Sequence, residues 1–76
     1  MKTEQIFIRP PFIKLQDLLK FAGACETGGQ AKELIQEGSV RVNGEICTQR
    51  GKKLFGNERV CIDNQLELEV VLHEHP

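Results

Sequence analysis

The side chains that could carry covalent or metal chemistry are few and poorly spaced for it. Cys25, Cys47 and Cys61 are widely separated, with no Cys-x-x-Cys pair of the kind that opens a zinc site. An odd, scattered set is equally unlike a secreted disulfide framework. His73 and His75 stand at the C-terminal end, so no thiol has a positioned base, and the thiols read as structural or incidental. No catalytic residue, metal site or cofactor is expected. What remains is charge. The net formal charge is −1, yet residues 1–62 hold all ten Lys and Arg and seven of the eleven acids, a net of +3. The remainder carries Asp63, Glu67, Glu69 and Glu74 with no basic residue, a net of −4. Taken singly, Lys14, Lys32, Arg41, Arg50, Lys52 and Lys53 are ordinary solvated charges. Their density along one stretch points to an anionic partner.

A second feature bears on anions. Gly28 and Gly29 stand together where a helix is expected to begin, and glycine inside a helix costs roughly 1 kcal/mol relative to alanine. Backbone amides without side chains at a helix N-terminus form a natural phosphate site. The alternative is that the glycines only relax the connection after Glu26, and local sequence leaves both readings open.

These residues need elements to position them. Thr27 is a good N-cap and Gln30, three residues later, completes a capping box, so a helix is expected from Gly28. Ala31, Leu34 and Ile35 give it an apolar stripe, and Gly38 fits a left-handed stop. Val40 and Val42 alternate with Ser39 and Arg41 as a half-buried strand does, and Asn43-Gly44 is a strong hairpin signal. A two-residue loop would set Ile46 across from Arg41; a three-residue loop, expected here, sets it across from Val42 and keeps the apolar residues on one face. Upstream, Gln5 to Arg9 reads as a short strand ended by Pro10-Pro11. Leu15, Leu18, Leu19 and Ala22 predict an amphipathic helix stopped at Gly23. Downstream, Arg50, Lys52 and Lys53 read as an exposed basic loop. Val60 and Ile62 begin another strand, Asn64-Gln65 turns it, and Leu66, Leu68, Val70 and Leu72 return on one face, with Glu67 and Glu69 on the other.

The expected architecture is α+β: two short helices packed on a small, mainly antiparallel sheet, with the Ile6–Ile8 strand at an edge. The expected core is Leu15, Leu18, Leu19, Leu34, Ile35, Val40, Val42, Leu54, Val60, Ile62 and Leu68. A chain of 76 residues makes one domain that buries only roughly 60% of its unfolded surface, which leaves little room for a catalytic cleft. No apolar run approaches the roughly 20 residues needed to cross a bilayer, and the N-terminus lacks a signal-peptide core. A cytoplasmic monomer, away from membranes, is expected.

The order of helix, capped helix and GSVRVNG hairpin (residues 38–44) resembles the RNA-binding domain named after ribosomal protein S-four, also called the alpha-L RNA-binding motif. The resemblance runs from about Lys14 to Ile62 and is most specific from Ala31 to Glu45. Typical members open the first helix with Arg-Leu-Asp, where this chain has Lys14-Leu15-Gln16. They usually open the second with Ser-Arg, where it has Thr27-Gly28, which removes a basic residue often aimed at RNA. The run TGGQAK (27–32), followed by RGKKL (50–54), is similar to a bacterial subgroup consisting of this domain alone and linked to ribosome assembly. The resemblance implies binding of structured, ribosomal RNA, with ribosomal or assembly proteins as further partners. On that reading the candidate RNA-binding residues are Lys14, Gly28, Gly29, Gln30, Lys32, Arg41, Asn43, Arg50, Lys52 and Lys53. With no Trp or Tyr and only four Phe, recognition by backbone and shape is expected over base stacking.

Two other functions compete. A protein-interaction module would use the Glu67/Glu69 face or a sheet edge. An enzyme is suggested only by Gly28-Gly29-Gln30, which is similar to the tripeptide of peptide-release factors. Here it sits in a helix cap and lacks their accessory domains, so no enzymatic activity is expected.

Overall fold

The computed structural model describes residues 2–73; Glu74 and His75 lie outside them. Strand β1 (Lys2–Ile8) opens the chain, followed by the two-residue strand β2 (Ile13–Lys14). Helix α1 (Leu15–Phe21) and helix α2 (Gly28–Gln36) come next, then β3 (Val40–Val42) and β4 (Glu45–Ile46). Strands β5 (Lys53–Leu54), β6 (Arg59–Ile62) and β7 (Leu66–Leu72) complete the fold. Five strands form one sheet in the order β1-β7-β6-β3-β4, while β2 and β5 pair as a separate ribbon. All pairings are antiparallel except that of β1 with β7. The fold is thus the expected α+β arrangement with the first strand at an edge.

Local chemistry sets the helix ends. The Thr27 hydroxyl accepts from the Gln30 amide at 3.2 Å. The Gln30 side-chain oxygen accepts from the Glu26 amide at 2.8 Å, one residue before the partner a capping box uses. At the other end Gly38 has φ +85°, and the amides of Gly38 and Ser39 donate to the carbonyls of Ile35 and Leu34. This is the doubly bonded left-handed cap, and α1 ends at Gly23 in the same way.

The α1 start has no side-chain cap. Instead the amides of Leu15 and Gln16 donate to the carbonyls of Lys52 (2.8 Å) and Arg50 (3.0 Å). The basic segment therefore satisfies donors that the helix itself cannot.

The core lies between the helices and one face of the sheet. Leu15, Leu18, Leu19, Ala31 and Ile35 of the helices meet Ile8, Val40, Val42, Val60, Ile62, Leu68 and Val70 of the sheet, with Leu54 and Cys25 also buried. Burial pushes the Cys25 thiol above its ordinary range, because the charged form loses water. Leu34, expected in the core, is only partly buried; Ile8, Cys25, Ala31 and Val70 join it instead.

Three expectations need correction. Arg41 pairs with Ile46 and Val42 with Glu45, so the hairpin loop has two residues, not three. Asn43 (φ 52°) and Gly44 (φ 85°) are both left-handed, as the tight primed turn requires. Ile46 consequently faces away from the core on an edge strand, 54% exposed. The turn after β6 begins one residue earlier than expected, with Asp63 and Asn64 both at positive φ. The basic segment is not simply a loop, since Lys53 and Leu54 form a strand.

Candidate nucleic-acid interface

The β2–β5 ribbon sets Ile13 opposite Leu54 and Lys14 opposite Lys53. Leu54 is fully buried, so by strand alternation Lys14 and Lys53 stand together on the outside. Like charges directly opposite in an antiparallel pair are destabilising. Neither lysine has an ion-pair partner among the described residues, whose ion pairs are Lys2–Glu4 and Arg59–Glu67. Arg50 and Lys52 are held beside this ribbon by their carbonyl bonds to the start of α1. The fold thereby concentrates four exposed cations, Lys14, Arg50, Lys52 and Lys53, around one short ribbon. A cluster assembled at some cost in self-repulsion is suited to a polyanion.

Lys52 also borders an open hollow of about 440 Å³ that runs to the β3–β4 turn, with Asn43, Glu45, Thr48 and Gln49 among its walls. Asn43 reaches this hollow, but its side-chain oxygen accepts from the Arg59 amide at 3.0 Å. Its own amide donates to the Arg59 carbonyl at 2.8 Å. Asn43 thus fastens the turn to β6.

The other candidates are distributed more widely. Arg41 alternates with the buried Val40 and Val42, so it lies on the sheet face away from the helices, and its guanidinium donates to the Gly44 carbonyl at 3.4 Å. Lys32 is exposed on α2 and no described ion pair ties it to the ribbon. Gln30 is engaged in the cap. Gly28 and Gly29 are exposed residues of the first turn, with amides that make no hydrogen bond among the described residues. Both have ordinary negative φ, and an added Cβ would meet nothing within 4 Å at Gly28 and only the Thr27 hydroxyl, at 3.8 Å, at Gly29. Neither glycine is therefore needed to relax the connection after Glu26 by a left-handed backbone or a close approach.

The sheet face carrying Glu67 and Glu69 is less acidic than the sequence suggests. Arg59 approaches one Glu67 oxygen at 3.6 Å and the Thr3 hydroxyl donates to the other at 3.3 Å. Among the described residues no cluster of His, Cys, Asp or Glu could hold a metal ion, and no helix is long and apolar enough to cross a membrane.

Sequence reasoning missed Phe12 and Phe55, which flank the paired lysines. Their rings lie 5.9 Å apart, and the Lys53 ammonium sits 4.9 Å from the Phe12 ring centroid. The available signal was the Phe-x-Lys spacing of residues 12–14 and its mirror image, Lys-x-Phe, in residues 53–55.

The chain is similar to several known proteins. YbcJ of Escherichia coli (strain K12) is 42% identical over 50 residues, covering 66% of this chain and 71% of YbcJ. Its solution structure, described as having an αL motif involved in RNA binding, matches with a TM-score of 0.63 at 35% identity, covering 93% of this chain and 87% of that one. RlbA of Bacillus subtilis (strain 168), a probable ribosome maturation protein by name, is 36% identical over 66 residues, covering 87% of this chain and 93% of RlbA. Ribosomal large subunit pseudouridine synthase B of Bacillus subtilis (strain 168) is 38% identical over 56 residues, which span 74% of this chain but 22% of the synthase. The S4 domain family matches residues 6–71, and with the αL arrangement in place the chain belongs to that family.

Proposed function

We propose that the chain acts as one RNA-binding domain, with its motif core at about residues 14–62, and binds structured ribosomal RNA without catalysis during ribosome assembly or maturation in the cytoplasm. The observation that carries this reading is the unneutralised pairing of Lys14 with Lys53, flanked by Arg50 and Lys52. Such a surface holds phosphates and reads shape more readily than base sequence. Asn43 and the adjoining hollow border it, and Lys32 and Arg41 extend it to more distant phosphates. RlbA supports the ribosomal assignment through its name, and YbcJ supports RNA through the motif in its structure. The pseudouridine synthase match covers too small a share of that enzyme to bring a reaction with it.

Salt dependence tests the assignment. Log affinity for a structured ribosomal RNA fragment should fall linearly with log salt, with a slope of roughly −0.7 to −0.9 per phosphate contact. Replacing Lys52 and Lys53 together with glutamine should flatten that slope by about one to two units. An unchanged slope would remove the basic segment from the interface.

The free amides of Gly28 and Gly29 supply a further phosphate contact in this proposal, beside Gln30. Replacing both glycines with alanine should stabilise the fold by up to about 1 kcal/mol per site, less at a helix end than in its interior. The same methyl groups should obstruct a phosphate and weaken RNA binding. Melting temperature should therefore rise while affinity falls. A raised melting temperature with unchanged affinity would exclude these amides from the interface.

A further inference from the structure

The ribbon's register places more than charge on its outer face. With Ile13 opposite Leu54 and Lys14 opposite Lys53, the next antiparallel position brings Phe12 beside Phe55. The ring separation of 5.9 Å, at an interplanar angle of 59°, agrees. Alternation turns Leu54 into the core and leaves Phe12, Lys14, Lys53 and Phe55 together on the outside. We propose that this two-Phe, two-Lys face is a stacking site for an unpaired RNA base whose phosphates are held by the lysines. The proposal rests on the RNA-binding reading above and adds to it a single-stranded element that shape recognition alone does not need.

Three observations favour a nucleotide. Phe55 keeps 55% of its surface exposed although a half-buried aromatic neighbour lies beside it. Its backbone is held in place: Glu58 accepts from the Phe55 amide at 2.8 Å and from the Gly56 amide at 2.7 Å. The nearby carboxylate is thus engaged with amides, and neither lysine is ion-paired among the described residues. An apolar protein partner would suit the rings but would bury two uncompensated charges, which is costly. A nucleotide presents a π face and a phosphate together, and so matches both halves of the face. Lys53, over the Phe12 ring, links the two by its cation–π contact.

The test uses the full chain and a short RNA hairpin with either a few unpaired adenosines or the same number of abasic sugars at its 3′ end. Phosphate number is equal, so only the bases differ. The adenosine hairpin should bind about 5- to 150-fold more tightly, the range expected from stacking one base. Phe55→Ala should abolish that preference while the variant still binds the abasic hairpin. The chain has no Trp, so Phe55→Trp introduces a single indole that should retain the preference and be quenched by the adenosine hairpin alone. Equal binding of the two hairpins by the native chain, a preference that survives Phe55→Ala, or an unquenched indole would each overturn the stacking site. Those results leave phosphate binding intact. Failure to bind either hairpin at low salt would instead overturn the RNA reading and the stacking site with it.

Discussion

Replacing Leu54 with alanine is expected to cost about 2–5 kcal/mol of stability and to weaken RNA binding even at temperatures where the variant remains folded. Leu54 is fully buried, and it lies between Lys53 and Phe55 on a strand of only two residues. Its side chain therefore anchors the basic ribbon to the core. A domain of this size has a total stability on the order of 5–10 kcal/mol, so the loss is a large fraction. Each kilocalorie lowers the melting temperature by roughly 4–8 °C. Leu68 provides the control, because it is equally buried but lies on β7, which pairs with β1 and β6 and not with the ribbon. Leu68→Ala should be similarly unstable yet bind RNA normally while folded. Thermal melts and affinities measured on both variants decide the question. Equal affinity losses would mean that global stability, not the anchoring of the ribbon, governs binding.

Reversing charge at Lys53 should separate stability from binding in the opposite sense. Lys53→Glu replaces a like-charge pair with Lys14 by an attractive one, a gain of roughly 0.5 kcal/mol at low salt that is offset in part by loss of the cation–π contact with Phe12. The gain should shrink as salt rises, since both positions are exposed. RNA affinity should fall about 10-fold or more, because one phosphate contact is lost and a repulsive charge replaces it. A second reversal at Lys14 in the same chain restores a like-charge pair, now negative. It should remove the stability gain and lower affinity further. If the stability of Lys53→Glu relative to the native chain did not depend on salt, the pairing with Lys14 would not be the repulsive arrangement inferred from the register. Retained affinity would place the RNA elsewhere on the domain.

The acidic side of the sheet has a different character. Glu67 is shared between Arg59 and the Thr3 hydroxyl, and its strand, β7, also makes the one parallel pairing among the described residues, with β1. That face is tied together by its own side chains, while the cations around the ribbon are not. The contrast is what directs the functional reading to the ribbon.

How much of this could be read from the chain follows from the range of the interactions involved. The sequence alone determined the two helices, their stops at Gly23 and Gly38, the Thr27 cap and most of the core, because each depends on residues within a few positions of one another. It also located the positive segment and, through the GSVRVNG hairpin, the family. The hairpin register departs from the expected one although its signal is local. The two left-handed positions that Asn43-Gly44 supplies outweigh the gain of keeping Ile46 on the apolar face. Tertiary structure alone decided the ribbon. Two-residue strands show no periodicity, and β2 finds its partner β5 only after both helices and a hairpin have intervened. The same distant pairing determined which cations share a surface. Arg41 and Lys53 look equivalent in a charge count, yet alternation against buried neighbours sends Arg41 to the open sheet face and Lys53 to the ribbon beside Lys14. A side chain's direction in a strand is set by what its neighbours bury, and what they bury is a property of the folded chain.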